Sequence, residues 1–262
     1  MKVISHDINV GKPCDAHIVP LADLHIGDAQ ADLKKIQSLI DYVLNTKDTY
    51  CILGGDLMDT AIASSIGDTY LATLQPGPQL EAAVKLFGPL AKAGKILAVL
   101  PGNHEARISK SVGIDTTALF TAQLGLTDVY TPTTALIYIR VGCKAGKKEP
   151  FVYSLYATHG SGGGRRPGGK INRLIDYATI VDADVYVCGH THMPMIAKQS
   201  YYRTVPQRRT VRKVEKTFVN TASALGYGGY GDAQGYAPSS NSYPTIHLNG
   251  SEGREQRVIV TV

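Results

Sequence analysis

Five apolar segments of the chain each end in side chains that bind divalent metals or move protons. Segment 50–53 is followed by Gly54 and Gly55, which allow a tight turn, and then by Asp56. The other segments, 17–21, 96–100, 151–157 and 185–188, precede Asp23 and His25, Asn103 and His104, His159, and His190 and His192, respectively. Ligands collect at the carboxyl ends of strands in open α/β sheets, so we expect one cluster with Asp56 at its middle.

A cluster of this composition suits two divalent metal ions. Two ions about 3.5–4 Å apart activate a bridging water and stabilise the oxygens of an in-line phosphoryl displacement. Asp56 offers a carboxylate that can bridge them, and Asn103 offers a neutral oxygen. Because imidazoles are mixed with oxygen ligands, we expect Mn²⁺, with Fe, Zn or Ni as alternatives and Mg²⁺ less well matched.

Composition limits the class of protein. The chain has 262 residues, of which 44% are hydrophobic and 19% charged, as in soluble globular proteins. No apolar run is long enough for a membrane span, and the first residues lack the apolar core of a signal peptide. The four cysteines are widely spaced, which favours reduced thiols in the cytoplasm. The net charge of +5 permits an anionic substrate, and the oligomeric state stays open.

The elements that must position the cluster alternate between strands and helices at first. Helical spacing at 32–47 and at 78–94, between apolar strands, indicates a βαβ arrangement. Further helices are expected near 116–126 and 170–181. The second half is dominated by expected strands, at 135–141, 151–157, 185–188, 195–205, 209–219, 243–248 and 257–262. We expect one domain over residues 1–262, with a Gly/Tyr-rich loop near 226–243.

Taken together, the five motifs resemble those of the calcineurin-like metallophosphoesterases over roughly residues 18–224. They are Asp-Leu-His at 23–25, Gly-Gly-Asp at 54–56, Gly-Asn-His-Glu at 102–105, Thr-His-Gly at 158–160 and Gly-His-Thr-His at 189–192. The resemblance implies a four-layer α/β/β/α sandwich of two mixed sheets flanked by helices. It implies one metal on Asp23, His25, Asp56 and His192, and a second on Asp56, Asn103, His159 and His190.

The resemblance also implies roles for two residues that do not bind metal. His104 would protonate or stabilise the leaving oxygen, and Asp59 would orient that histidine. Residues 220–223, Asn-Thr-Ala-Ser, resemble a segment found after the last histidines in many family members. A simple strand end explains that segment equally well.

Departures from the family pattern favour the phosphodiesterase and nuclease-like branches. Phosphoprotein phosphatases carry arginines at the positions of Thr60 and Pro101, and these arginines grip phosphate. Purple acid phosphatases carry a metal-binding tyrosine at the position of Asp59, so the chain does not match that branch. Lipid A precursor hydrolases carry an arginine at the position of His104, so the chain fits that branch poorly. We therefore expect a hydrolase that cleaves a phosphodiester, plausibly in nucleic acid or a nucleotide, by attack of a hydroxide bridging the metals. A phosphomonoesterase and a non-catalytic binding subunit are the alternatives.

Several basic residues are candidates for holding the substrate. Arg107 follows His104 closely, and Arg165 and Arg166 lie in the glycine-rich stretch after His159; each could instead be an ordinary surface residue. A basic strand pair contains Arg203, Arg208, Arg209, Arg212, Lys213 and Lys216 beside Tyr201 and Tyr202. It fits either a nucleic-acid backbone or a sheet edge protected by charge, the commoner case. The loop near 226–243 is either a lid over the substrate or a plain surface loop.

Overall fold

The computed structural model describes residues 1–63, 65, 69–144, 147–251 and 257–262 of the chain. These residues form eleven β-strands and six α-helices. The strands are β1 Lys2–Ile8, β2 Ala16–Leu21, β3 Thr49–Leu53, β4 Ile96–Val99, β5 Ala135–Val141, β6 Phe151–Thr158, β7 Val185–Cys188, β8 Met195–Val205, β9 Thr210–Asn220, β10 Thr245–Leu248 and β11 Val258–Thr261. The helices are α1 Leu33–Asn45, α2 Pro76–Lys92, α3 Glu105–Val112, α4 Thr116–Leu124, α5 Pro167–Asp176 and α6 Gly229–Ala233.

The strands form two mixed sheets. The six-stranded sheet has the order β1-β5-β6-β7-β9-β8, with β5 antiparallel to β6 and β8 antiparallel to β9. The five-stranded sheet has the order β11-β10-β2-β3-β4, in which β2, β3 and β4 are parallel. The parallel strands direct their carboxyl ends to the same edge, where ligands collect in α/β proteins.

Three hydrophobic clusters show how the layers are stacked. One lies between the sheets and includes Ile18 and Ile52 of one sheet and Ile137 and Val187 of the other. A second packs α1, α2 and α4 against the outer face of the five-stranded sheet. The third packs α5, through Leu174, against the outer face of the six-stranded sheet. The structure therefore confirms the predicted four-layer α/β/β/α sandwich of two mixed sheets.

Local signals account for the helices that the sequence predicts. The side chain of Asp32 caps α1 by accepting from the Lys35 amide at 2.9 Å. Helix α2 begins at Pro76, two residues before the predicted start at residue 78. Helix α3 is absent from the sequence prediction, because its eight residues have few apolar side chains and its one buried residue is Glu105.

Two further observations concern the predictions from composition. All four cysteines are free, and Cys51 and Cys188 are buried, as the sequence indicated. None of the helices formed by the described residues has the length and apolar character needed to span a lipid bilayer.

Candidate metal centre

Asp56 lies three residues beyond β3 and is almost fully buried. Its placement depends on two glycines. Gly55 has a φ of 89°, and a Cβ atom on Gly102 would overlap the carboxylate and the backbone nitrogen of Asp56. Glycine has no Cβ and adopts left-handed backbone readily, so it satisfies both requirements. The two loops can therefore approach each other closely around the Asp56 carboxylate.

The buried carboxylate of Glu105 holds this arrangement together. It accepts hydrogen bonds from the backbone N–H groups of Asp56 at 3.0 Å, Met58 at 2.9 Å and Gly102 at 2.8 Å. Burial, reinforced by the nearby Asp56 carboxylate, raises the pKa of Glu105. The sequence prediction assigns no role to Glu105, although its position directly after His104 in the Gly-Asn-His-Glu motif is a signal that could have found it.

The first group of metal donors consists of Asp23, His25 and His192, whose ligand atoms lie within 4.8 Å of one another. Nε2 of His192 lies 3.3 Å from Oδ1 of Asp23 and 3.2 Å from Nε2 of His25. The backbone ties this group to the neighbouring loop, because the His25 amide donates to the Asp56 carbonyl at 3.0 Å.

The second group consists of Asp56, His159 and His190, with Asn103 beside them. Nε2 of His159 lies 3.2 Å from Oδ2 of Asp56 and 3.0 Å from Oδ1 of Asn103. Nδ1 of His190 lies 2.7 Å from the same Asn103 oxygen. Nδ1 of His159 faces the Gly54 carbonyl at 2.8 Å, and a carbonyl only accepts. This contact keeps the proton on Nδ1 and turns Nε2 into the group.

Asp56 connects the two groups. It also shares a set of closely spaced donors with His25 and His104, so its carboxylate reaches toward the first group as well. The structure thus brings all seven predicted ligands into one cluster. They are Asp23, His25, Asp56, Asn103, His159, His190 and His192.

The backbone is strained at these positions. Of the nine non-glycine residues with positive φ in the described part of the chain, five are predicted ligands: Asp23, His25, Asp56, His190 and His192. Left-handed backbone costs a non-glycine residue on the order of 1–3 kcal/mol, and such residues gather at active sites and ligand clamps. The strain therefore points to function at this cluster independently of the side chains.

The donor set fits divalent cations. The imidazole nitrogens of His25 and His192 face each other, and the buried Nδ1 of His25 has no hydrogen-bond partner among the described residues. Burial alone would lower the pKa of His159, but the Asp56 carboxylate outweighs it and raises the pKa to about 10. The cluster therefore favours a positive charge, and its imidazole and oxygen donors suit Mn, Fe, Zn or Ni.

His104 lies beside the cluster and is held by Asp59. Its Nδ1 is 3.0 Å from Oδ1 of Asp59, and its Nε2 is 3.8 Å from Oδ2 of Asp56. Arg107 donates to that Nε2 at 2.9 Å. Burial acts to lower the pKa of His104, but the hydrogen bond to Asp59 and the charge of Asp56 outweigh it and raise the pKa. Asp59 thus orients the ring so that Nε2, which accepts from Arg107, faces Asp56 and the cluster.

Thr60 stands where phosphoprotein phosphatases carry an arginine, and here it is an internal support. It is fully buried, and its hydroxyl donates to the His104 carbonyl at 2.6 Å. Its amide donates to the side chain of Gln79 at 2.7 Å. Neither Thr60 nor Gln79 is in the sequence prediction of the site, and a buried glutamine on an amphipathic helix carries little signal of its own.

The segment at the end of β9 supports the cluster. The Asn220 side chain donates to the Thr191 hydroxyl at 2.8 Å. The Thr221 hydroxyl lies 3.3 Å from Oδ2 of Asp23, and the Ser223 hydroxyl donates to the Asp23 carbonyl at 2.9 Å. Residues 220–223 are therefore a strand end, and they also fix the loop that carries Asp23.

The structure places the three predicted substrate-binding arginines differently. Arg107 contacts His104 directly. Arg165 donates to the Gln234 carbonyl at 2.8 Å and lies 5.4 Å from the centre of the Tyr236 ring, so it joins the glycine-rich stretch to the Gly/Tyr-rich loop. Arg166 is exposed and directly precedes α5.

A lysine absent from the prediction lies closer to the histidine loop. Lys170 is half-buried, and its Nζ donates at 2.9 Å to the carbonyl of Thr191, the residue between His190 and His192. A lone lysine after a glycine-rich stretch carries no specific signal in the sequence.

The Gly/Tyr-rich loop is mixed in character. Tyr227 is exposed, whereas Tyr243 is buried and donates to the Ala22 carbonyl at 2.9 Å. Tyr243 is therefore part of the core and cannot belong to a lid. The side chain of Tyr230 lies outside the described residues.

Two sheets packed face to face between helices, with imidazole and carboxylate donors at their strand ends, define an α/β sandwich with a candidate divalent-metal centre. The sequence model of the calcineurin-like phosphoesterase family matches residues 18–194, about two thirds of the chain. This range contains all seven predicted metal ligands. The chain belongs to the calcineurin-like phosphoesterase family.

Several solved structures are similar to the chain. A conserved predicted phosphoesterase from Streptococcus pneumoniae is 14% identical, with 95% of this chain and 99% of that chain covered and a TM-score of 0.37. Vacuolar Protein Sorting 29 from Cryptosporidium parvum is 14% identical, with 94% and 97% covered and a TM-score of 0.44. Vps29 from Entamoeba histolytica, complexed with Zn²⁺, is 14% identical, with 94% and 98% covered and a TM-score of 0.39. No curated protein matches the sequence.

Proposed function

We propose that the chain is a hydrolase that cleaves a phosphodiester, in nucleic acid or a nucleotide, with divalent cations at the two donor groups. The observation that carries the proposal is the place of Asp56, whose carboxylate contacts the second group and reaches toward the first, with His104 at its side. Divalent cations held there by the two donor groups would supply positive charge to the phosphate and lower the pKa of an attacking water.

The side chains around the cluster orient the reacting groups. Glu105 fixes the loop of Asp56 through three backbone hydrogen bonds. Asp59 binds Nδ1 of His104, so that Nε2 is left to hold the proton for the leaving oxygen. Arg107 donates to that Nε2, which carries no proton in this contact, and its planar guanidinium is suited to bind phosphate oxygens in pairs. Binding of phosphate by Arg107 would release Nε2 for proton transfer.

The surroundings of His104 favour a diester. A monoester carries one more negative charge than a diester, and phosphoprotein phosphatases grip that charge with arginines at the positions of Thr60 and Pro101. Here Thr60 is fully buried and donates to the His104 carbonyl, so this position presents no cation to a phosphate. Arg107 is then the basic residue nearest the proton donor, which matches a substrate of lower charge.

The test compares hydrolysis of bis-p-nitrophenyl phosphate, a diester, with that of p-nitrophenyl phosphate, a monoester, after reconstitution with Mn²⁺. We expect turnover of the diester and about two metal ions per chain. Asp56→Asn should lose metal and activity together, because its carboxylate serves both groups. Asp41→Asn on the exposed face of α1 is the matched control and should behave like the wild type.

Two results would replace this proposal with an alternative. Turnover of the monoester alone would make the chain a phosphomonoesterase. Less than one metal ion per chain after reconstitution, with no turnover of either ester, would make it a binding subunit with the same fold.

A further inference from the structure

The net positive charge of the chain is concentrated on the β8–β9 hairpin. Residues 195–220 contain seven lysines and arginines and one acidic residue, a net charge of +6, whereas the whole chain has +5. The rest of the molecule is therefore close to neutral. Such segregation of charge on one element is the electrostatic footprint of a polyanion partner.

Most of this hairpin extends beyond β7, the neighbouring strand of the sheet. Strands β8 and β9 pair along their whole length, from Met195 opposite Asn220 to Val205 opposite Thr210. Strand β7 pairs with only the last four residues of β9, 217–220. At ~3.3 Å per residue, the turn lies on the order of 30 Å from the hairpin base. The base adjoins the candidate metal centre, because Asn220 donates to Thr191.

The cations of the hairpin divide into two sets. Three are neutralised by ion pairs, since Lys198 pairs with Glu215 at 2.8 Å, and both Arg203 and Lys216 pair with Asp182. The other four lie at the turn or on β9 close to it. They are Arg208, Arg209, Arg212 and Lys213, which we call the tip cations. All four are exposed, and no carboxylate among the described residues forms an ion pair with them.

Apolar and aromatic side chains lie among the tip cations. Tyr202 is 77% exposed and lies directly opposite Lys213 in the strand pairing, and Val211 is 62% exposed. Charge that protects a sheet edge against aggregation does not by itself account for the exposure of these two side chains. An exposed aromatic ring beside cations is the arrangement that binds single-stranded nucleic acid, where bases stack and phosphates are neutralised.

We propose that the end of the β8–β9 hairpin is a docking surface for single-stranded nucleic acid. The tip cations bind phosphates on both faces of the hairpin end, and Tyr202, on the same face as Lys213, stacks on a base. Since the hairpin base adjoins the candidate metal centre, a strand held at the tip can run along the hairpin toward that centre. This last step alone rests on the proposed function; the docking itself does not.

Binding is measured by fluorescence anisotropy with labelled oligothymidylate of about 20 nucleotides, which exceeds the ~4–16 nucleotides typical of such sites. EDTA is present throughout, so the readout does not depend on catalysis. Single-strand affinity falls with salt at a slope of about −0.7 per phosphate contact, so four contacts predict a slope near −3 on logarithmic axes. The same slope predicts a loss of affinity of about 50-fold between 50 and 200 mM salt.

Replacing the four tip cations with alanine should abolish most of this salt dependence and weaken binding at least about tenfold. The matched control replaces four exposed lysines elsewhere, Lys12, Lys34, Lys85 and Lys92, and removes the same charge. It should bind like the wild type. A conservative variant, R208K/R209K/R212K, keeps the charge and should retain most of the affinity, which separates loss of contacts from misfolding. Tyr202→Ala should weaken binding about fivefold or more through lost stacking.

Several results would overturn the proposal. One is equal binding by the four-alanine variant and its control. A second is tighter binding of a duplex of the same length, or an affinity for inorganic polyphosphate or for phosphatidylserine vesicles that equals the affinity for oligothymidylate. Binding of oligothymidylate without diester hydrolysis would support the docking surface and contradict the proposed function. Diester hydrolysis without binding at the tip would support the proposed function and contradict the docking surface.

Discussion

Replacing Glu105 with glutamine changes one atom and tests how Asp56 is held. The carboxylate receives three backbone N–H groups, two at Oε2 and one at Oε1. Glutamine can keep the two bonds at Oε2 but turns its own NH₂ toward the Met58 amide, which leaves buried donors unpaired. Each unsatisfied donor costs ~1–3 kcal/mol, and the two bonds that remain lose the strength given by a charged acceptor. Relief of repulsion with Asp56 offsets part of this loss.

We therefore expect Glu105→Gln to lower the free energy of unfolding by about 2–4 kcal/mol, at the upper end for a substitution that keeps shape. The measurement is urea unfolding at pH 7 in EDTA, so that bound metal does not add to the stability of the folded state. Glu81→Gln, on the exposed face of α2, is the control and should change the value by less than ~0.5 kcal/mol. A Glu105→Gln protein as stable as this control would refute the role of Glu105 as the clamp of the Asp56 loop.

Three further predictions follow from particular contacts. His104→Ala should keep its bound Mn²⁺ while kcat for the diester falls by about 10²–10⁴-fold, and loss of metal in this variant would show that His104 is a ligand. Gly102→Ala should lower the free energy of unfolding by ~1–3 kcal/mol and weaken Mn²⁺ binding, because the new Cβ overlaps Asp56. The control Gly88→Ala has open space around its Cβ and should leave the free energy of unfolding unchanged or raise it. Burial raises the pKa of Tyr153 to about 12, above its ordinary value, so its contribution to stability is complete below pH ~10 and lost between about pH 10 and 12. Tyr153→Phe should lower the free energy of unfolding by ~1 kcal/mol at pH 7, because the hydroxyl loses its hydrogen bond. It should also remove about 1.4 kcal/mol per pH unit from the fall in the free energy of unfolding across that window, as measured by urea unfolding at each pH. An unchanged slope would show that Tyr153 does not titrate there.

The sequence predicts which side chains gather at the strand ends better than it predicts the sheets that carry them. Each predicted ligand lies within a few residues of the end of an apolar run, so local order along the chain is enough to single it out. The pairing of strands depends on residues far apart in the sequence. Strand β1 pairs with β5, more than a hundred residues away, and β2 pairs with β10, so these two neighbouring strands lie in different sheets. Nothing in residues 1–22 alone distinguishes that outcome from a hairpin.

The charges of the basic strand pair are a second feature that the local sequence does not resolve. Arg203, Lys216 and the tip cations look alike in the sequence. Only the fold brings Asp182 beside Arg203 and Lys216, whereas Arg208 and Arg212 form no ion pair with a carboxylate of the described residues. The choice between a protected edge and a docking surface depends on that distinction, so composition alone could not make it.

The strain at the ligand positions shows what fixes the donor geometry. A left-handed backbone persists at Asp23 and His25 because hydrogen bonds from neighbouring loops hold it, such as that from the Asp23 amide to the Gly55 carbonyl at 3.0 Å. Backbone contacts between loops therefore position these candidate donors. Under the proposed function, discrimination between substrates would come from elements that reach beyond the centre, namely Arg107 beside His104 and the hairpin that begins at its edge.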